Sequence, residues 1–275
     1  MGSMANISSK YTLFVTGNPG SGKSFIANHL GAHFPSGFSD HGGGYTTELH
    51  TENVPIDEDE VLMVDAPGLI EANYKTTVKN ATLITRALNK GQSEEYGQQI
   101  PYKIGIVITD TNGRIQPADM LLVRKLYEAL TPKPEFMLII NQVRKSNLHK
   151  VMSEEYQRNL ITTIREKTGA TIRSEHIVTI ADLPDDEQVD LKQLKEVLSK
   201  IDAISVKVSP ITITKDEFDT ILNMDQPHGF TATNNIPQQA LRLPKVSRFL
   251  QPIKPIKKLL QLEKPKQASF DLRLH

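Results

Sequence analysis

The sequence predicts a three-layer α/β domain, a mostly parallel sheet with one antiparallel edge strand and helices on both faces. Three observations lead there. Strand-like and helix-like patterns alternate from Tyr11 to about Asp202, which calls for right-handed crossovers between parallel strands. Several of the strand-like runs are β-branched and almost continuously apolar, as strands buried on both faces are. The first run also leads through a Gly-rich segment, "GNPGSGKS", directly into an amphipathic helical pattern.

The elements follow in order. "YTLFVTG" is the first strand, and "KSFIANHLGAHF" is the first helix, predicted to reach Phe34. Between them, Gly17, Gly20 and Gly22 admit backbone angles that side chains forbid, so successive amides can face an anion. Asn18, Pro19 and Ser21 fill the variable positions, Lys23 can reach terminal phosphates, and Phe25 carries the next amide of the turn. The Ser24 hydroxyl suits magnesium, a hard cation. This is the pattern of a nucleotide phosphate loop, with Lys23 both a binding and a catalytic candidate.

"SGFSDHGGGYTTELHTENVPIDEDE" is a flexible connection, and its "TTELHTENVPI" predicts an edge strand antiparallel to "EVLMVDA". Thr46 and Thr47 lie where a closing loop lends a hydroxyl to magnesium; Thr47 is preferred and also counted as catalytic. In "VLMVDAPGL", Asp65 ends the strand as a magnesium-water ligand, and Gly68 can turn its amide toward a γ-phosphate. Helix "NYKTTVKNATLITRALNK", strand "YKIGIVITD", helix "ADMLLVRKLYEAL" and strand "FMLIINQV" come next, then helix "SEEYQRNLITTIREKTG", strand "HIVTIAD" and helix "VDLKQLKEVLSKI".

Composition narrows the function. The 275 residues balance 32 Lys and Arg against 32 Asp and Glu, so no global field draws nucleic acid, and nucleic acid is not the expected partner. With no cysteine, disulfides and thiolate chemistry are excluded. A cytoplasmic location is expected. Residues 1–10 read as a tag remnant and N-terminal arm, 11–202 as the nucleotide domain, and 203–275 as a Pro-rich, basic extension. Its "ISVKVSPITITKDEFDTILNM" predicts a short strand and helix. From Leu241, nine Lys and Arg face only Glu263 and Asp271, with apolar residues interleaved: a docking strap or partner segment, or a basic arm for peripheral contact with acidic lipid.

"GKSFIANHLG" resembles the GKSxxxNxL pattern of translation-factor-related GTPases, and "DAPGL" resembles their switch element. Within that class, Gly113 and Arg114 in "ITDTNGRIQPADMLLVRKLYEAL" match the GRxTxEE block of the immunity-associated (GIMAP or AIG-like) GTPases, Ala118 and Asp119 matching in part. Septins and chloroplast import GTPases stand next in similarity. The resemblance spans roughly Tyr11 to Asp202. It implies a three-layer P-loop NTPase of the Ras-like G-domain type, Mg2+ with GTP or GDP as cofactors, and a homodimer or oligomer assembled through the nucleotide face.

Two departures keep alternatives open. Where the class has [NT]-K-x-D to read guanine, this chain has Asn141, Gln142, Val143 and Arg144, so Asn141, Gln142, Arg144 and Lys145 become the expected base pocket and ATP remains admissible. Arg144 or Lys145 could stack on a purine, and Asp182 in "TIAD" could approach the base from the other side. Leu69 occupies the place of the water-orienting Gln, so hydrolysis should be slow or use another group: His41, His50, Glu48, Arg86 or Arg114, the last being the catalytic candidate. A GTPase switch is the first reading. A P-loop ATPase or kinase, or a degenerate nucleotide-binding interaction module, is the alternative.

Overall fold

The computed structural model describes residues 9–35, 46–90, 100–109, 115–182 and 191–225. Among them the strands are β1 (Tyr11–Gly17), β2 (His50–Ile56), β3 (Asp59–Asp65), β4 (Tyr102–Thr109), β5 (Leu130–Thr131), β6 (Phe136–Val143), β7 (Ile177–Ala181) and β8 (Lys207–Val208). The α-helices are α1 (Lys23–His29), α2 (Tyr74–Lys90), α3 (Pro117–Ala129), α4 (Leu148–Val151), α5 (Glu154–Thr168), α6 (Lys192–Lys200) and α7 (Lys215–Asp225). Six strands form one sheet in the order β2-β3-β1-β4-β6-β7. β2 runs antiparallel to β3 and the other neighbours are parallel, the mostly parallel sheet with one antiparallel edge strand that the sequence predicts.

The apolar runs are continuous because each face of the sheet has its own core. Along β1, Phe14 packs under α2, α3 and α5, whereas Leu13 and Val15 pack under α1 and α6. Along β4 and β6, Ile104, Ile106, Leu138 and Ile140 take the first face, and Val107, Met137 and Ile139 the second. The side-chain period of two places successive apolar residues in opposite layers.

Two boundaries differ from expectation. The first helix stops at His29 instead of reaching Phe34, because Gly31 takes φ 110° and the Asn28 side chain holds both backbone groups of Phe34 at 2.8 Å. Packing also continues past residue 202. Ile204 exchanges backbone hydrogen bonds with Tyr102, β8 pairs with β5, and Ile211, Ile213, Phe218 and Ile221 complete the core beside α3. The strand and helix expected there thus belong to the folded body. The tag remnant and the basic segment from Leu241 lie outside the described residues. Among those described, no helix is long and apolar enough to cross a membrane.

Candidate functional site

The phosphate loop joins β1 to α1 as the glycines require. Gly20 and Gly22 sit at φ 78° and 84°, in the left-handed region, and a Cβ on Gly17 would run into Ser21 Oγ and the Val107 carbonyl. Lys23, first in α1, is 5% exposed, and burial pulls its ammonium pKa down while Asp65 draws it back up. Phe25 stays 42% exposed, with its ring 4.1 Å from that of His29.

Ser24 and Asp65 meet at the mouth of this loop. Ser24 Oγ donates to Asp65 Oδ2 at 2.8 Å, and Thr46 Oγ1 lies 3.1 Å from Ser24 Oγ and 3.5 Å from the same carboxylate oxygen. Asp65 is fully buried, and its other oxygen, Oδ1, has no hydrogen-bond partner. Burial pushes the Asp65 carboxyl pKa upward, opposed first by Lys23 and then by the Ser24 hydrogen bond. A buried carboxylate with one oxygen orphaned and the other beside two hydroxyls fits a hard cation. Among the described residues no three His, Cys, Asp or Glu side chains cluster for a metal, but magnesium held by one carboxylate, hydroxyls and phosphates needs no such cluster. The preference for Thr47 is corrected: Thr47 is exposed, and the buried hydroxyl in the cluster is that of Thr46.

Gly68 lies so close to the loop that a Cβ would collide with Pro19. Three side chains that the sequence did not single out for this purpose hold its segment. Asn80 of α2 donates to the Gly68 carbonyl at 2.6 Å, Thr77 accepts from the Glu71 amide at 3.0 Å, and Asn18 accepts from the Ile70 amide at 3.1 Å. Asn18 in turn donates to Asp119 Oδ1 at 2.8 Å, a pairing across 101 positions of sequence that no local pattern signals. Leu69 is fully buried in the core with Phe14, so it turns away from the site altogether. Of the other turnover candidates, Arg86 is exposed on α2, Glu48 is exposed, and His50 is half-buried opposite Asp65 in the β2–β3 register. His41, Gly113 and Arg114 lie outside the described residues.

At the tip of β6 the expected base pocket is built differently. Asn141 is buried and its amide donates to the Ser21 carbonyl at 2.9 Å, while Gln142, at φ 58°, donates to the Gly20 carbonyl at 3.1 Å. Both side chains, expected to line the base pocket, brace the phosphate loop through their amides. Arg144 and Lys145 are exposed at the 3-10 turn that follows, and Asp182 lies at the same sheet end, its amide donating to the Val143 carbonyl at 2.8 Å. A cavity of about 1000 Å³ lies elsewhere, between α3, α5 and α7, and contains none of these polar groups.

Residues 12–142 match the model of a family described as 50S ribosome-binding GTPase, just under half of the chain, which supports a P-loop GTPase domain over β1 to β6. Among solved structures, Toc33 from Arabidopsis thaliana in complex with GDP and Mg2+ is 16% identical with a TM-score of 0.48, covering 72% of this chain and 88% of that one. Era, in complex with MgGDPNP and nucleotides 1506-1542 of 16S ribosomal RNA, is 20% identical with a TM-score of 0.48, over 76% of this chain and 60% of Era. The cytosolic domain of L. pneumophila FeoB is 18% identical with a TM-score of 0.42, over 74% and 67%. No curated protein matches the chain.

Proposed function

We propose that the domain is a magnesium-dependent nucleotide switch that binds GTP and GDP and hydrolyses GTP slowly, of a kind with the immunity-associated GTPases that its motifs resemble. The observation that carries this is the buried Ser24–Asp65–Thr46 cluster, with its orphaned carboxylate oxygen, at the mouth of a left-handed glycine loop. When bound, Mg2+ would neutralise charge on the β- and γ-phosphates, held by Ser24, Asp65 and Thr46. Lys23 supplies a desolvated positive charge, and Gly68, held by Asn80, offers its amide beside Pro19.

A second reading, ATP in place of GTP, has its own support. The position that reads guanine holds Arg144, and the amides of Asn141 and Gln142 are engaged by the loop. Thermal unfolding with GTP, GDP, ATP or ADP, with and without magnesium, tests both. A nucleotide at a hundred times its dissociation constant should add about 2.7 kcal/mol of stability. Larger magnesium-dependent shifts with GTP and GDP bear out the first reading, larger shifts with ATP and ADP the second, and no shift with any rejects both.

Turnover follows from Leu69. With an apolar side chain sealed in the core at that position, the isolated domain should hydrolyse GTP at the unassisted rate, on the order of 10⁻⁴ to 10⁻³ per second. A faster rate needs a delivered group, and an arginine finger is worth roughly a thousandfold. We place that group on a second copy docked through the nucleotide face, with Arg86 or Arg114 as the finger. Specific activity should then rise with protein concentration, and Arg86→Ala or Arg114→Ala should remove the rise while nucleotide still binds. Rapid turnover independent of concentration would reject assembly. The same reading places the protein in the cytoplasm, with the basic segment beyond Leu241 contacting a partner or an acidic lipid surface.

A further inference from the structure

We propose that Asn18 is a two-ended latch, holding the segment after Asp65 through its carbonyl and helix α3 through its amide, and that Asp119 is the positioning residue that sets it. The inference rests on the nucleotide-switch reading and adds residues to it. Asn18 stands at a variable position of the phosphate loop, where the pattern asks for no particular side chain. Its Oδ1 accepts from the Ile70 amide at 3.1 Å, and its Nδ2 donates to Asp119 Oδ1 at 2.8 Å. A carboxylate can only accept and a backbone amide can only donate, so these two partners together fix which way the Asn18 amide faces.

Asp119 suits the anchoring role. It is 3% exposed, and a carboxylate so buried needs a donor and a favourable field. Asn18 supplies the donor. The field comes from its place in the first turn of the 13-residue α3, which opens with Pro117. Without the carboxylate, Asn18 is free to turn its NH₂ toward the Ile70 N–H, donor against donor. Ile70 lies two residues after Gly68, which abuts Pro19, so the latch keeps Gly68 beside the loop, where its amide would meet a γ-phosphate. A diphosphate makes no such contact. Asp119 therefore sets the preference for triphosphate over diphosphate without touching either.

The test titrates fluorescent GDP and a non-hydrolysable GTP analogue against wild type, Asp119→Ala, Asp119→Asn, Asn18→Ala and the double Ala variant. Hydrogen exchange at the Ile70 amide is followed in the same proteins without nucleotide. Asp119→Ala should weaken the GTP analogue about tenfold and change GDP less than about twofold. Ile70 exchange should quicken in both single Ala variants, and Asp119→Asn, which keeps an acceptor, should recover most of the loss. The double variant should bind the GTP analogue no worse than Asn18→Ala alone. Equal losses for GDP and the analogue, additive losses in the double variant, or unchanged Ile70 exchange overturn the latch and leave the nucleotide reading standing. Wild-type protein that binds neither nucleotide overturns both. Should Asp119→Ala fail to fold, Asp119→Asn and Asn18→Ala decide the matter through the Ile70 amide.

Discussion

The two ends of the proposed nucleotide site lie at strand tips of one sheet, β1 and β3 at one end and β6 beyond β4 at the other, yet they use polar side chains in opposite ways. At the phosphate end, Lys23, Ser24, Thr46 and Asp65 are buried together, and one carboxylate oxygen has no hydrogen-bond partner. At the base end, Asn141 and Gln142 spend their amides on the Ser21 and Gly20 carbonyls, and the exposed residues that follow are cationic. On the proposed reading, the difference teaches that one end suits an anion and its metal, and that the other acts first as a brace for it. Selectivity for the base comes second.

The largest effect should come from breaking the phosphate end. Lys23→Ala or Ser24→Asn is expected to abolish measurable nucleotide binding, with the fold retained by circular dichroism, because neither side chain belongs to the hydrophobic cores. Unchanged affinity in a fluorescent-nucleotide titration would remove the assignment.

A smaller effect distinguishes brace from base reader. Asn141→Ala deletes the donor to the Ser21 carbonyl, a net hydrogen bond worth about 1 kcal/mol, so GTP and ATP should both weaken roughly fivefold with their ratio unchanged. In wild type that ratio should fall well short of the roughly ten-thousandfold discrimination that a buried paired reader provides. Competition titrations measure both. A GTP preference that collapses in Asn141→Ala would make Asn141 a base reader after all, and a wild-type preference above about a thousandfold would point to Asp182 as an unrecognised carboxylate contact.

The smallest effect is a pH dependence confined to the phosphate end. The folded-state pKa of Asp65 is raised above its ordinary 3.8, chiefly by burial, so the folded protein holds this proton more tightly than the unfolded chain. The associated stability is present in full below pH 3.8 and is lost as pH rises through the folded pKa. Denaturant unfolding without nucleotide, compared between wild type and Asp65→Asn, should show this component in wild type only. Identical pH profiles would mean that Asp65 is less desolvated than its surroundings imply.

Much of the phosphate end was legible because its chemistry is local. Strand, glycine loop and helix follow one another within "YTLFVTGNPGSGKSFIANHLG", and positive φ at Gly20 and Gly22 is what glycines at those positions predict. Asp65 and Gly68 were readable for the same reason, since a strand end places the carboxylate and a turn places the glycine. The sheet faces followed from continuous apolar runs, which only a strand covered on both sides can bury.

Sequence by itself therefore determined the layer architecture, the edge strand, the phosphate loop and the identity of the carboxylate beside it. Tertiary structure alone decided between Thr46 and Thr47, adjacent residues that differ only in which side of the chain is buried against Asp65. It turned Asn141 and Gln142 toward the loop, a positive φ at Gln142 setting a direction that residue type does not encode. It also brought Asp119 to Asn18 and drew residues 203–225 into the core beside α3. These contacts join positions far apart in the chain, where the free energy depends on which surfaces remain to be buried once the sheet has formed, and no short pattern carries that information.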